Sequence, residues 1–520
     1  MNSKVLIESN NVRLAKNTLS LYFRMLFMML VNLYTSRVVL NTLGVEDFGI
    51  YNVVGGIISS FAFINGAMAS STQRYLTFEL EKGNIKKMRE IFSVSLIIHI
   101  SIAALIFIIS ETIGMWFLKT HMTIPIERLN AAYWVYHFSM LSLVIIIVGV
   151  PYNAVIVSHE KMKAFAFISI IEAVLKLCIV YILQTVDYDK LKIYSILHFL
   201  IQLLTRLTYI NYCKNNFLET HFKIQIQKRN IALAKEMSGF AGWNLFGNFA
   251  AMTFIQGLNI LLNVFFGPTV NAARGIAVQV QGVVSQFFTN FQMAINPQIT
   301  KSYASGNVHY LHRLIYSSSK FTFFLMLILC LPIFIKTKYV LSLWLQVIPE
   351  YADTFLRIIL ISSVVDAISN PIIISVMATG KVKLFEITVG IILLFILPAS
   401  YLALKLGAPP YSVFIIHLVF CCIAYIARLL IFKVTITFDL KGYFNEVVKR
   451  CFVVLVLSIL VPTYIASCLA DSFLSLIIIS VLSTLSTIFI IYIVGLNSDE
   501  RQVVNNKLNL FKLNLKSSFQ

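Results

Sequence analysis

Nearly uncharged stretches of about 20 apolar residues recur along the whole of this 520-residue chain. A helix of that length covers the hydrocarbon core of a bilayer, and soluble proteins rarely contain even one such stretch. The composition agrees, because 58% of the residues are apolar and only 12% are charged, whereas an ordinary globular protein has about 25% charged residues. We therefore predict an all-α polytopic membrane protein with no room for a sizeable soluble domain.

About fourteen transmembrane helices fit the pattern of apolar stretches. The predicted spans are residues 18–40, 49–69, 91–110, 131–157, 164–184, 193–213, 237–264, 272–294, 321–335, 354–378, 384–404, 411–432, 451–469 and 473–495. The predicted domains are a cytoplasmic N-terminal segment (1–17), an N-lobe (18–213), a cytoplasmic linker (214–236), a C-lobe (237–432), spans thirteen and fourteen with their preceding loop (433–495), and a basic cytoplasmic tail (496–520).

The lysines and arginines favour one set of alternate connections. If the N-terminus lies inside, the inside segments hold 28 of the 42 basic residues, the outside segments hold 7, and the last 7 lie within spans. Because basic residues concentrate on the cytoplasmic side of membrane proteins, both termini are predicted to be cytoplasmic. The inside basic residues are expected to contact anionic membrane lipids.

The second half of the chain repeats motifs of the first half in the same order. The pattern GI-x5-G-[IV]-[IV]-S-x-F begins at Gly49 and again at Gly275, and P-x9-K-x-K-x-F begins at Pro151 and again at Pro371. Weaker matches pair Gly83-Asn84-Ile85 with Gly306-Asn307-Val308, and Trp116 with Trp344. Six spans per copy predict two parallel lobes with a cleft between them that opens alternately to each side, as in parallel-repeat transporters.

Five sequence motifs resemble one branch of a transporter superfamily. They are Phe48-Gly49-Ile50-Tyr51, Trp243–Asn248, Asn263–Pro268, Asn271–Ala277 and Asn296–Lys301. In these motifs and in span layout the chain resembles the Wzx-type polysaccharide and O-antigen repeat-unit flippases of the MOP superfamily (MATE-like, MVF-related), which are relatives of the lipid II flippase and of MATE drug antiporters.

This resemblance implies a MATE-like fold of two six-helix lobes plus two C-terminal helices. It also implies the substrate, an undecaprenyl-diphosphate-linked oligosaccharide of O-antigen, capsule or exopolysaccharide, moved from the cytoplasmic to the periplasmic leaflet of the bacterial inner membrane. Other polysaccharide-assembly proteins are the implied partners.

Polar side chains form stripes along spans seven and eight that a lipid-facing helix would not carry. At about 100° per residue, each stripe is about 60° wide. The stripe residues, predicted to line a substrate passage, are Arg274, Gln281, Ser285, Gln292 and Asn296 on span eight and Asn244, Asn248 and Asn259 on span seven. The alternative is that these amides hold neighbouring helices together by hydrogen bonds.

Arginines within spans are the candidates for holding a diphosphate, because the guanidinium donates hydrogen bonds in pairs and stays charged. Arg274, at the end of the polar stripe, is the first candidate. Arg24 is the second, since the lipid II flippases carry cavity arginines in their first span, and Arg206 lies deep in span six. Outward snorkelling is expected for the arginines near span ends, which are Arg37, Arg357 and Arg428.

Two acidic groups lie deep within spans. Glu172 and Lys176 are four residues apart and are predicted to form a structural ion pair. Asp366 has no local partner, so it is a candidate for coupling transport to a proton or sodium gradient, with a structural role as the alternative. The prolines repeated in the two copies, Pro151 and Pro371, are predicted hinges.

Several other functions are disfavoured by the sequence. No GxxxxGK[ST] motif, hydrolase triad or paired metal-ligand spacing occurs, so we expect neither an enzyme, nor a cofactor, nor a metal site. The net charge of +19 is not organised as a nucleic-acid platform. The alternatives that stay open are a MATE-type small-molecule or ion antiporter and, less favoured because the outer loops are short, a membrane polysaccharide polymerase or ligase.

Overall fold

The computed structural model describes residues 3–59, 62–121, 124–221, 228–345, 348–436, 438–502 and 504–506. Within those ranges the regular secondary structure is helical, and no strand occurs. The predicted all-α class is therefore confirmed.

Sixteen α-helices follow one another along the described part of the chain. They are α1 (Ser3–Ser59), α2 (Ala62–Glu81), α3 (Ile85–Ile109), α4 (Met115–His121), α5 (Leu129–Ser158), α6 (Met162–Thr185), α7 (Lys190–Asn216), α8 (Lys228–Ala304), α9 (Val308–Ile335), α10 (Thr337–Trp344), α11 (Ala352–Thr379), α12 (Lys383–Lys405), α13 (Ser412–Thr435), α14 (Leu440–Tyr443), α15 (Lys449–Cys468) and α16 (Phe473–Ile490). Among the described residues, 11 helical segments are long and apolar enough to cross a membrane. The other three predicted spans, 18–40, 49–69 and 272–294, lie on α1, α2 and α8.

Two long helices bend at a glycine. The backbone of α1 takes φ +82° at Gly44, and that of α8 takes φ +77° at Gly267. With ψ of +167° and −172°, both residues lie in the mirror image of the β region, which glycine adopts without the penalty that a Cβ brings. Predicted spans one and two, and seven and eight, are thus joined through bends rather than through loops. Each of the two glycines shortly precedes its own copy of the GI-x5-G motif, so the bends belong to the repeat.

The duplication is also visible in the turns. Gly83 and Gly306, the first residues of one repeated motif, both have positive φ, at +68° and +72°. Glu160 and Gly380, which precede the two copies of the K-x-K motif, do so as well, at +56° and +79°. The backbone therefore repeats where the sequence motifs repeat, even where a glutamate replaces the glycine.

The repeated prolines lie inside helices, Pro151 in α5 and Pro371 in α11. Proline has no N–H and its ring crowds the preceding turn, which weakens the helix locally. Their role as hinges stays a prediction.

Contacts divide the chain into two compact units. The first unit comprises Met1–Phe249, Met293–Asn307 and Met377–Ile387, and the second comprises Ala250–Gln292, Val308–Val376 and Thr388–Gln520. The predicted C-lobe segments 237–249, 293–307 and 377–387 thus pack with the first unit, because α8 contributes both of its ends to it and α11 and α12 contribute the ends that adjoin their common turn. The remaining domain boundaries stay predictions.

Each unit has its own apolar core. In the first unit the fully buried Phe92 and Tyr136 belong to two clusters of aliphatic and aromatic side chains. In the second unit the buried rings of Phe355 and Phe414 lie 4.5 Å apart at the centre of a larger cluster. Burial of this apolar area supplies the packing that positions the polar side chains described below.

The segment after α16 is attached to α9 through a buried lysine. The side chain of Lys320 is 1% exposed, and its Nζ lies 2.7 Å from Oε2 of Glu500. Oε1 of the same carboxylate accepts a hydrogen bond from Ser317 Oγ at 2.8 Å. The ion pair and the hydrogen bond together fix the end of the described chain to the second unit.

Candidate functional site

The second unit encloses a cavity of about 390 Å³. Its wall is mainly apolar and aromatic, with Phe254, Phe288 and Phe414 among the lining residues. The polar lining residues are Arg274, Gln281, Asp366, Asn370, His417 and Arg428. Since α8, α11 and α13 each contribute polar side chains, the cavity gathers groups that lie far apart in the sequence.

Arg274 is held in the cavity wall by two hydrogen bonds within α8. Its Nη1 donates to Oδ1 of Asn259 at 3.2 Å, and its Nη2 donates to the carbonyl of Ile255 at 2.7 Å. Both acceptors precede the bend at Gly267 and the arginine follows it, so the bend allows the two halves of α8 to contact. The residue is only 9% exposed. A guanidinium has five N–H donors, so these two bonds orient the group while leaving it further donors.

The two amides of the cavity differ in their hydrogen bonding. Nε2 of Gln281 donates to Oγ of Ser363, on α11, at 2.9 Å. Oδ1 of Asn370 is buried and has no hydrogen-bond partner among the described residues. Gln281 thus both lines the cavity and joins two helices. The two alternatives considered for the polar stripe, lining a passage and holding helices together, both apply to this residue.

Asp366 and Arg428 form an ion pair in the cavity. Nη1 of Arg428 lies 3.8 Å from Oδ1 of Asp366, with side chains that are 9% and 43% exposed. The expectation that Arg428 snorkels outward was therefore wrong, because α13 buries this arginine against a carboxylate of α11. Nε and Nη1 of Arg428 have no hydrogen-bond partner among the described residues, so the pair retains donor capacity.

His417 occupies the same wall. Its ring stacks on that of Phe254, with centroids 5.0 Å apart, and its Nε2 lies 3.3 Å from Sγ of Cys421. Across the residues that the structure describes, no group of three or more side chains could hold a metal ion.

A second polar cluster lies in the first unit. Glu172 and Lys176 are paired at 2.8 Å, which confirms the predicted structural ion pair. The same carboxylate oxygen accepts a hydrogen bond from Nε2 of Gln202 at 3.2 Å. Glu172 also interacts electrostatically with Arg206 and Arg24. One carboxylate is thus shared among three cations.

The two arginines of this cluster are held by packing. The guanidinium of Arg24 lies over the ring of Phe165, 4.9 Å from its centroid. That of Arg206 lies 5.6 Å from the centroid of Tyr209, and its stem packs on Gly149, where a Cβ would approach it to 2.7 Å. Both arginines were predicted from the sequence as candidates for holding a diphosphate. The structure places them together in the first unit, whereas Arg274 belongs to the second.

The remaining stripe residues do not line the cavity of the second unit. Gln292 is 4% exposed and its Nε2 has no hydrogen-bond partner within the described ranges. Asn244 is buried and donates to the carbonyl of Phe240 in its own helix at 3.3 Å. Ser285 and Asn296 are half-buried and Asn248 is exposed, while the side chain of Arg37 lies outside the described residues.

Sequence reasoning missed three members of the cavity, Asn370, His417 and Arg428. Asn370 and His417 lie on apolar helices without a polar stripe. Arg428 is close to a span end, where snorkelling is the usual outcome. A signal was nevertheless available for Arg428, because an unpartnered Asp366 at mid-span requires a cation from some other helix.

The comparisons with known proteins concern the fold. No family model matches the sequence, and no curated protein matches it. Solved structures do match. An outward-facing multidrug resistance MATE transporter of the MOP superfamily is 14% identical, with a TM-score of 0.69 over 81% of this chain and 95% of that one.

Two further structures agree with the first. The Vibrio cholerae MATE transporter VcmN in its bent form is 16% identical, with a TM-score of 0.66 over 84% of this chain and 99% of that one. A MOP superfamily transporter from Pyrococcus furiosus, described as having a binding pocket of reversed polarity, is 15% identical, with a TM-score of 0.65 over 81% and 95%. The chain therefore has the MATE-type fold of MOP superfamily transporters, as predicted, and its substrate has to be argued from the chemistry of its own site.

Proposed function

We propose that this chain is a flippase that moves undecaprenyl-diphosphate-linked oligosaccharide repeat units across the bacterial inner membrane by alternating access. The MATE-type fold supports a transport function. The direction, from the cytoplasmic to the periplasmic leaflet, and the O-antigen, capsule or exopolysaccharide class of the sugar follow from the sequence motifs and belong to the proposal.

One observation carries the proposal: Arg274 and Arg428 both line the apolar cavity of the second unit, against a single lining carboxylate, Asp366. With His417 neutral, the lining has a net charge of +1. Moving an unpaired charge through hydrocarbon costs several kcal/mol, so a cavity with an excess cation favours an anionic ligand. Its volume of about 390 Å³ suits a diphosphate group better than an entire oligosaccharide.

The proposed roles follow from the contacts. Arg274, oriented by Asn259, would donate to the diphosphate with the N–H groups that its two hydrogen bonds leave available, and Gln281 would bind beside it. Arg24 and Arg206 would provide a second cationic surface in the first unit. Of the stripe residues outside the cavity, Ser285, Asn296 and Asn248 are half-buried or exposed and would bind sugar hydroxyls, whereas the buried Gln292 and Asn244 would do so only in a conformation that exposes them.

The experiment compares Arg274→Ala with Arg274→Lys in a deletion strain. Surface polysaccharide and lipid-linked repeat units accessible on each leaflet are measured at equal amounts of membrane-inserted protein. We expect Arg274→Ala to abolish export and to trap repeat units on the cytoplasmic leaflet, and Arg274→Lys to retain part of the activity because it keeps the charge. The matched control is Arg357→Ala, an arginine outside the cavity. Near-normal export in both Arg274 variants would refute the assignment.

A second candidate function is a MATE-type small-molecule or ion antiporter, and Asp366 favours it. Its side chain is 43% exposed to the cavity, so a small cation could reach the carboxylate. Normal surface polysaccharide in the deletion strain, together with increased sensitivity to organic cations, would select this candidate over the flippase.

Asp366 is also the proposed ion-coupling residue. Binding of a proton or sodium ion to its carboxylate would compete with Arg428 at 3.8 Å. Export by Asp366→Asn should then be independent of the ion gradient. Unchanged dependence would leave the aspartate a purely structural role.

A further inference from the structure

The two copies of the duplication contain equivalent turns that have different electrostatic surroundings. The turn between α5 and α6 has positive φ at Glu160, and the turn between α11 and α12 has positive φ at Gly380. Each is followed by the same K-x-K pair, Lys161 with Lys163 and Lys381 with Lys383. All of these residues belong to the first unit.

In the first copy the turn contains its own anion. The Glu160 side chain is 1% exposed, and its Oε1 lies 2.7 Å from Nζ of Lys301. Its Oε2 accepts a hydrogen bond from Nε2 of Gln298 at 3.1 Å. The positive charge that approaches this turn from α8 is therefore neutralised internally.

In the second copy a glycine replaces that anion and an arginine fills the space. A Cβ on Gly380 would collide with Nη2 of Arg74. Arg74 is fixed there because its Nε donates to the carbonyl of Ala378 at 3.2 Å, and its guanidinium lies 5.2 Å from the ring centroid of Phe240. The turn itself thus supplies no counterpart of the Glu160 carboxylate to the cation that approaches it, and Arg74 interacts electrostatically with Glu236 of α8 instead.

Around Arg74 the structure forms a pocket of about 380 Å³ that is rich in cations. Lys235, Lys381 and Lys383 line it together with Arg74, and Glu236 is the single acid in the described lining. Within the described ranges, none of the four cations has a carboxylate oxygen within 4 Å. The lining has an excess of three positive charges.

The acid of the pocket is already engaged. The hydroxyl of Tyr75 donates to Oε1 of Glu236 at 3.0 Å. Burial raises the pKa of Tyr75, so the hydroxyl stays protonated and keeps this bond. Beside it, Nζ of Lys383 lies 5.3 Å from the ring centroid of Trp243, which gives the pocket an aromatic wall next to its charges.

We infer that this pocket binds a phosphate or diphosphate group. A fixed guanidinium flanked by ammonium groups matches the several oxygens of a phosphate, and α12 begins at Lys383, so the positive end of the helix dipole lies beside the pocket. The group can belong to a membrane lipid or to a soluble diphosphate. On the predicted topology the pocket faces the cytoplasm, where a lipid-linked substrate would first meet the protein. Only this link to a lipid-linked substrate rests on the proposed function.

The test measures binding to the purified full-length protein in nanodiscs. Three probes are compared: inorganic pyrophosphate added to phosphatidylcholine nanodiscs, phosphatidylglycerol incorporated in the disc, and undecaprenyl diphosphate incorporated in the disc. Binding of pyrophosphate is measured by calorimetry, and binding of each lipid is measured by native mass spectrometry. The test variant is Lys381→Ala/Lys383→Ala. The matched control is Lys161→Ala/Lys163→Ala, which removes the same charge from equally exposed positions in the equivalent turn.

We expect at least tenfold weaker binding of the probe in the test variant and less than a twofold change in the control. Glu236→Gln should bind severalfold more tightly, because it removes the acid of the lining without reducing the size of the side chain. The probe that responds identifies the source of the phosphate. Equal losses in both lysine pairs, or no binding of any probe, would overturn the inference. Because no transport is measured and the comparison is between the two lysine pairs, failure of this test is distinguishable from failure of the flippase proposal.

Discussion

The Asp366–Arg428 pair allows a quantitative prediction. Two unit charges 3.8 Å apart interact by about 4 kcal/mol at an effective dielectric constant near 20 and by about 1 kcal/mol in water. The carboxylate is 43% exposed to the cavity, so solvent screens the pair and we expect a coupling energy of about 1–2 kcal/mol.

The two single substitutions should be unequal. Asp366→Asn leaves the Arg428 guanidinium, which is 9% exposed, without its counter-ion and should cost about 2 kcal/mol, less than for a fully buried pair. Arg428→Gln removes the more deeply buried charge and leaves an aspartate that the cavity can hydrate, so it should cost less.

The assay is a double-mutant cycle on the free energy of unfolding, measured in bicelles for the wild type, both single variants and Asp366→Asn/Arg428→Gln. The control cycle uses Glu446 and Arg450, an i,i+4 pair at 3.2 Å with side chains 38% and 27% exposed, for which about 0.3–0.5 kcal/mol is expected. A coupling no larger than that of the control, or a larger loss for Arg428→Gln than for Asp366→Asn, would refute the reasoning.

Two more predictions concern stability. Glu160→Gln should lower the free energy of unfolding by about 3 kcal/mol, because Lys301 loses a buried counter-ion; a loss below about 1 kcal/mol in the same bicelle assay would contradict this. Gly267→Ala should cost about 1–3 kcal/mol, because its φ of +77° with ψ of −172° lies in a region that residues with a Cβ essentially do not adopt. Gly275→Ala, on the same helix and with open space around it, should be neutral or slightly stabilising, and equal effects at both glycines would exclude backbone strain as the cause.

The helical fold and its duplication could be predicted from the sequence because both depend on local patterns. Apolar runs set the spans, and the repeated motifs have turned out to be repeated backbone angles, as at Gly83 and Gly306. The Glu172–Lys176 pair was predictable for the same reason, since four residues of helix bring both side chains to one face.

The bends of α1 and α8 were harder to predict. A glycine between two apolar runs fits a loop as well as a kink, and Gly44 and Gly267 lie between predicted spans. The distinction depends on whether the backbone hydrogen bonds continue past the glycine, and sequence patterns do not report this.

The site was only partly predictable. Arg274 and Gln281 were found from the polar stripe, and both line the cavity. Arg428 could not be paired with Asp366, because the two lie on separate helices and the packing of α11 against α13 decides which side chains meet. The pocket around Arg74, which we infer binds phosphate, was not predicted from the sequence. Arg74 and Lys381 come from opposite copies of the duplication, and only the packing of the helices brings them together.

The contact between Lys320 and Glu500 has a practical consequence for protein production. Any truncation, protease cut or fusion that removes residue 500 would leave the ammonium group of Lys320, whose side chain is 1% exposed, buried without its counter-ion. The second unit would then have to rearrange or hydrate that site. A purification tag is therefore best fused beyond the last helical turn that carries this glutamate, and an apparently harmless trimming of the C-terminus could lower expression without touching substrate recognition at all.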